Sequence, residues 1–180
     1  MLSIDFISNE VRKIKRKYAE ADPVKLCQKM KITLLYQPMG SFAGACKGFY
    51  LQQSRQQVIV INSDLAELLQ LIILIHELGH AVLHRKIPGM KIFHDFKPFD
   101  ETSRYEYEAN IFAADFILAD QDVLRMLNGD ISFFSAASML CVPAELLDFK
   151  FRILKRKGYQ VIDSPLNAGA NFLRITDWHF

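Results

Sequence analysis

The hydrophobic pattern along the chain changes period several times, and each change marks an element. Apolar positions recur at helical spacing in the first twenty residues, so Ser8 or Asn9 is expected to cap a helix running to about Ala21. Asp22-Pro23 supplies an N-cap followed by proline at the first helical position, which predicts a short second helix, Val24 to Met30. Ile32 to Tyr36 reads as a strand ended by Pro38 and Gly40. Gly48 to Gln52 and Val58 to Ile61 read as two more strands around the polar turn Ser54-Arg55-Gln56-Gln57. Val58 to Ile61 is β-branched and wholly apolar, as an interior strand would be.

The longest apolar stretch, Leu68 to Leu83, is broken by Gln70, His76, Glu77 and His80, so it fails as a membrane span and reads as a buried helix. Ser63 or Asp64 would open this helix, with Asp64 and Glu67 at capping-box spacing, and it should run to about His84 before Pro88-Gly89. Met90 to Glu101, with Pro98 inside it, is expected to be a loop. A helix from Arg104 to Leu118, opened near Ser103, should follow. Asp120 then caps a short helix ending near Asn128-Gly129, and two more helices, Ser132 to Leu140 and Pro143 to Lys157, stop at Gly158. Tyr159 to Phe180 has no clear period.

This order predicts an α+β fold with a small antiparallel or mixed sheet packed on the motif helix, and C-terminal helices after it. With 180 residues, 51% of them hydrophobic, the chain can bury a core without disulfides. No repeat or linker divides it. Cys27, Cys46 and Cys141 are odd in number and widely spaced, with no Cys-x-x-Cys, so they are expected to be reduced and buried in a cytoplasmic protein. Met1 to Ala21 lacks the apolar core of a signal peptide. A net charge of +2 gives no ground for direct nucleic-acid binding, and the basic runs at 12–17 and 150–157 are expected to be solvated helix faces.

The chemistry concentrates in His76-Glu77-Leu78-Gly79-His80. A helix turns about 100° per residue, so His76 and His80 share a face and can aim two imidazoles at one ion. Glu77 lies one step round, poorly placed as a ligand but able to take a proton from an activated water. Gly79 would leave room for a substrate or a neighbouring strand. A hydrolytic site needs a third protein ligand. His84, His94, Asp95, Asp100, Glu101, Glu106, Glu108 and Asp115 are available. His84 is too far round the helix to join easily. Glu106 and Glu108 sit on the next helix but face different sides, so only one can reach. The residues alone leave the choice among the acidic candidates open, with a tilt to Glu106. Glu106 also completes a Ser103-x-x-Glu106 capping box, Glu108 reads equally as a solvated carboxylate, and Asn110 shares the face of Glu106.

The block His76 to His84, followed by Glu106-Tyr107-Glu108-Ala109-Asn110-Ile111-Phe112-Ala113-Ala114, resembles the ImmA/IrrE family of metallopeptidases, over roughly Asp22 to Gly158. The resemblance implies a zincin-like metallopeptidase domain over 1–158, helical from about 120, with the tail 159–180 unassigned. It implies metal ligands His76, His80 and Glu106, with Glu108 in reserve, and Glu77 as the catalytic base. Zinc is the implied metal, though manganese or iron suits two histidines and a carboxylate. The implied activity is cleavage of a protein substrate, a DNA-binding transcriptional repressor of a prophage, mobile element or stress response, inside the cell and away from membranes. His84, His94, Tyr105 and Tyr107 are candidates to stabilise an oxyanion. Two rival readings stand beside this one. One is a metal-bound regulator that binds a repressor without cutting it, and the other is a different zinc hydrolase, such as a deformylase or amidase. Leu118-Ala119-Asp120 departs from the family's usual Leu-Met-Pro, and the 133–154 region looks like part of a helix-turn-helix but is expected to pack on the core.

Overall fold

The structure is a computed structural model that describes residues 1–42, 44–54, 56–85, 101–127, 131–170 and 173, with the backbone alone at 101–103. Within them the chain is α+β. Its elements are α1 (Ile4–Tyr18), α2 (Pro23–Lys29), β1 (Ile32–Gln37), β2 (Gly48–Gln53), β3 (Gln56–Asn62), α3 (Glu67–Leu83), α4 (Glu101–Ile117), α5 (Asp120–Leu127), α6 (Phe133–Met139) and α7 (Ala144–Arg156). No helix among the described residues is long and apolar enough to cross a membrane.

The three strands form a mixed sheet in the order β1-β3-β2, with β1 parallel and β2 antiparallel to β3. The apolar strand β3 is central, as its composition requires. Asn62 closes it. Fully buried, its side chain accepts from the backbone N–H groups of Met39 and Asp64 (3.1 and 3.0 Å) and donates to the carbonyls of Gly40 and Cys46 (2.8 and 2.9 Å). One amide thus uses its full donor capacity to tie the β1–β2 connection to the entrance of α3. Gly48 lets β2 approach α3: a Cβ there would lie 2.6 Å from Ile73 Cγ2 and 2.9 Å from the Val60 carbonyl oxygen.

Helices α3 and α4 form the centre. Every residue from Ile72 to Ala81 is buried, which explains why this helix is apolar on all sides. Gly79 makes room for a helix rather than the substrate or strand expected from sequence. A Cβ there would meet Phe112 Cδ1, Cβ and Cγ at 3.1–3.2 Å, so α4 packs directly over the motif.

Several local expectations are corrected. Helix α1 starts earlier, with Ser3 accepting from the Phe6 N–H (3.2 Å), because Ser8 lies buried inside it. Asp64 does not cap α3. Its carboxylate accepts from the Gly40 N–H (2.7 Å), and Ala66 occupies the cap without a side-chain bond. Helix α4 begins at Glu101, ahead of Ser103, so Glu106 is not at the third position of a capping box. Asp120 is the first residue of α5, and its carboxylate pairs with Lys150 and Lys157. Cys27 is buried, but Cys46 is half-buried and Cys141 exposed; all three are free thiols. The expected loop 90–100, the Pro88-Gly89 stop and Asn128-Gly129 lie outside the described residues.

The basic run 150–157 is only partly a solvated face. Lys150 is 1% exposed, with its ammonium 2.6 Å from both Asp115 and Asp120. Lys157 reaches the same two carboxylates at 3.5 and 2.7 Å. Burial pushes the Asp115 carboxyl up, but Lys150 and then Lys157 outweigh it and leave its pKa below the usual value. Asp120 is lowered for the same reasons.

Two outcomes are expected from this packing. Gly48→Ala should destabilise the fold by about 1–3 kcal/mol in urea unfolding, because one contact is with rigid backbone. Asp115→Ala should cost about 3–5 kcal/mol by leaving Lys150 short of a buried partner. Because both carboxyl pKa values are depressed in the fold, their stabilisation is complete above the unfolded value of about 3.9. It should fade as pH falls through the lower folded values. A wild-type unfolding free energy that stayed flat from pH 5 to pH 2 would contradict this.

Candidate metal centre

Three buried side chains meet where α3 crosses α4. His76 and His80, one helical turn apart, bring their Nε2 atoms to 3.1 Å of each other. Glu106 on α4 places one carboxylate oxygen 3.2 Å from His76 Nε2 and the other 3.4 Å from His80 Nε2. The three residues form a group that could hold a metal ion. A test of fit follows from elementary geometry. Ligand atoms bound to one ion at about 2.1 Å in a tetrahedron lie roughly 3.4 Å apart. The observed spacings of 3.1–3.4 Å come close to that figure. The donor set, two imidazoles and a carboxylate, suits zinc and leaves a fourth position for chemistry.

The electrostatics favour a neutral His80 and an anionic Glu106. Burial opposes a charge on His80, and neighbouring His76 and His84 add to this; its pKa is pushed down to about 4 despite Glu106, so the ring is neutral near pH 7. Burial also opposes charge on His76, but the Glu106 carboxylate outweighs it and raises that pKa, with Glu77 and Asn110 contributing. Burial alone would push Glu106 up, yet the two histidines hold it well below the carboxylate range. The Glu106 carboxylate is therefore anionic, as metal binding would require. Glu77 is buried beside His76, close enough for its charge to act on that ring.

The other candidates are separated from this group. Glu108, two residues on, is 1% exposed and therefore not a solvated carboxylate. It accepts from His84 Nε2 (3.0 Å), the Leu2 backbone N–H (2.6 Å) and Arg104 Nε (3.2 Å). His84 in turn places its Nδ1 2.9 Å from Nδ1 of His80. A line His80–His84–Glu108 thus runs outward from one histidine of the group, the kind of arrangement by which carboxylates orient metal-binding imidazoles. Glu108 was legible only as the reserve ligand or a solvated carboxylate, although the spacing of His84, four residues after His80, carried the signal for this line. Asp115 faces Lys150 instead. His94, Asp95 and Asp100, and the side chain of Glu101, lie outside the described residues.

The oxyanion candidates are narrowed by the same geometry. His84 is engaged at both ring nitrogens. Tyr105 packs edge-on against His84, with ring centres 4.9 Å apart. Tyr107 turns towards α7, edge-on to Phe149 at 5.6 Å and below the Arg152 guanidinium.

Comparison with known proteins adds to the geometry. Residues 27–152 match a peptidase family model described as the IrrE N-terminal-like domain. The chain is similar to "Uncharacterized immunity region protein 2" of Bacillus phage phi105, 32% identical over 146 residues, covering 80% of this chain and 88% of the relative. It is also similar to "Metallopeptidase ImmA" of Bacillus subtilis, 25% identical over 150 residues, covering 80% and 83%. The family match spans both the α3 motif and the Glu106 block that converge in the buried group, and on these grounds the chain belongs to the ImmA/IrrE family of metallopeptidases.

Proposed function

We propose that this protein is a zinc-dependent endopeptidase that hydrolyses a peptide bond in a protein substrate. The observation that carries the reading is the buried convergence of His76, His80 and Glu106 with Glu77 beside them. In this reading residues 1–158 form the peptidase unit and the protein acts in the cytoplasm. The substrate is a DNA-binding transcriptional repressor of a prophage, mobile element or stress response. The phage relative's printed name, an immunity region protein, supports a regulatory target of this kind.

His76, His80 and Glu106 would hold the ion. When bound, the metal supplies Lewis-acid polarisation of a carbonyl group and of the attacking water. Glu77 takes the water's proton and returns it to the leaving amine. The low-dielectric surroundings strengthen both interactions. His84 and Glu108 orient His80 from behind. Strand β2 is an edge of the sheet and lies against α3, so an extended segment of substrate can add along Gly48–Gln53 through backbone hydrogen bonds.

Four results test the reading. Elemental mass spectrometry of the wild type should find about one zinc per chain, lost in Glu106→Ala. Glu108→Ala should still bind, with affinity reduced roughly 10–100-fold. Glu77→Gln should keep the metal and lose about 10²–10⁴-fold in cleavage rate; retained cleavage would exclude Glu77 as the base. Mass spectrometry of a co-encoded repressor after incubation should reveal two fragments. An intact repressor bound to the protein would favour the non-cutting regulator, and turnover of formylated peptides would favour a deformylase.

A further inference from the structure

The first turn of the chain is built into the surroundings of the candidate metal centre. Ser3 is the N-cap of α1, in extended conformation (φ −74°, ψ 150°). Its hydroxyl oxygen accepts from the Phe6 N–H (3.2 Å) and its carbonyl from the Ile7 N–H (3.1 Å). The residue ahead of a cap stands outside the helix, so its N–H has no helical carbonyl to bond. The Leu2 N–H instead donates to Glu108 Oε1 at 2.6 Å, across 106 positions of sequence. Leu2 and Ile4 pack against the core, and Ile7 and Val11 are buried in it, so apolar contacts hold this turn in place. Arg156 on α7 pairs with Asp5 (2.9 Å) at the same end of α1. At the far end a second tie to α4 is made by Lys15, which donates to the Phe116 carbonyl (2.7 Å) and lies 4.0 Å from the centre of the Phe116 ring. The family match begins at residue 27, so all of α1 lies ahead of it.

Glu108 is 1% exposed, so its charge must be met by fixed donors. Among the described residues three donors reach it, and they divide the carboxylate between them. Oε1 accepts from the Leu2 N–H and from Arg104 Nε (3.2 Å), while Oε2 faces His84 Nε2 (3.0 Å). The Arg104 side chain is a long arm, 46% exposed, whereas the Leu2 donor is a backbone group on a packed turn. The Leu2 bond is also the shorter of the two, as a charge-assisted bond from a well-placed donor is. With Oε1 anchored, the carboxylate cannot rotate away, and Oε2 stays against His84. His84 in turn places its Nδ1 2.9 Å from Nδ1 of His80. Leu2, Glu108, His84 and His80 are therefore joined by direct contacts of 3.0 Å or less.

We infer that Leu2, through its backbone N–H, is a positioning residue of the candidate metal centre: it holds Glu108 against His84 and thereby steadies the ring of His80. It acts through these residues rather than on substrate. A backbone N–H has no signature in a sequence, so no side-chain pattern reveals this role. The inference rests on the metal-site reading of His80, but the bond between Leu2 and Glu108 can be read in the metal-free protein.

The full-length chain is tested by amide NMR without metal and by zinc affinity in chelator competition. Each protein carries the same short tag ahead of the exposed Met1, so that Met1 is kept in every variant. In the metal-free wild type the Leu2 amide proton should lie far downfield, as a short bond to a carboxylate requires, and should move upfield in Glu108→Ala. Leu2→Pro removes the N–H and keeps an apolar residue. It should weaken zinc binding about tenfold, the low end for groups that orient ligands, because Arg104 remains. Leu2→Ala keeps the N–H and should bind zinc as the wild type does. Adding Leu2→Pro to Glu108→Ala should change little, since both cut one chain of contacts. Lys15→Met cuts the other tie between α1 and α4, and should lower stability in urea while leaving zinc affinity unchanged. Unchanged affinity in Leu2→Pro would overturn the inference. So would an equal loss in Leu2→Ala or Lys15→Met, because the packing of α1 and not the N–H would then be the cause. A Leu2 amide that ignores Glu108→Ala would overturn it as well, and this result needs no folded proline variant. A wild type whose Leu2 amide responds to Glu108→Ala but which takes up no zinc would instead overturn the metal-site reading.

Discussion

The close crossing of α3 and α4 is the constraint on which the rest depends. It exists because Gly79 has no side chain where Phe112 lies, so the two helices meet with the motif buried between them. A glycine within a helix costs about 1 kcal/mol relative to alanine, and this one is tolerated because it lets α4 deliver Glu106 to the two histidines. A bulkier residue would push α4 outward and open the 3.2–3.4 Å spacings that make the group a plausible ligand set. The catalytic reading therefore rests on a packing contact made by atoms with no chemistry of their own.

Burying this much charge demands pairing, and the structure divides that labour along α4. Glu106 faces the histidine pair, Glu108 faces His84, Asn110 donates to the Ala170 carbonyl beyond α7, and Asp115 faces Lys150. Four polar side chains on one helix serve four separate directions. An uncompensated carboxylate in such surroundings would be protonated or destabilising. Each depressed carboxyl pKa here has an adjacent cation, imidazole or backbone donor as its cause. The arrangement also joins distant parts of the chain: the Leu2 N–H reaches Glu108 and the Ala170 carbonyl reaches Asn110.

Much of this was legible beforehand, where the signal is local. The three strands, the central place of β3, the Asp22-Pro23 helix start and the Gly158 stop all follow from side-chain size, branching and capping chemistry within a few residues. The errors are local signals overruled by contacts far along the chain. Asp64 and Glu67 have the spacing of a cap, but Gly40, 24 residues away, takes the carboxylate. Ser103 and Glu106 have it too, yet the helix starts earlier and Glu106 is drawn to His76, 30 residues back, and to His80. Lys150 looks like one member of a solvated basic face, and nothing in its neighbours reveals Asp115.

The sequence by itself determined the pairing of His76 with His80, because a helix of 3.6 residues per turn places positions four apart on one face whatever surrounds it. It also placed Glu77 beside them and kept Glu106 and Glu108 on different sides of α4. Only the tertiary structure decided which glutamate turns to the histidines, that Gly79 seats Phe112, and that the segment after Gly158 returns to Asn110. The physical reason is the same in each case. Helical periodicity fixes angles about one axis, whereas these contacts depend on the distance and rotation between two packed elements, which no single segment encodes.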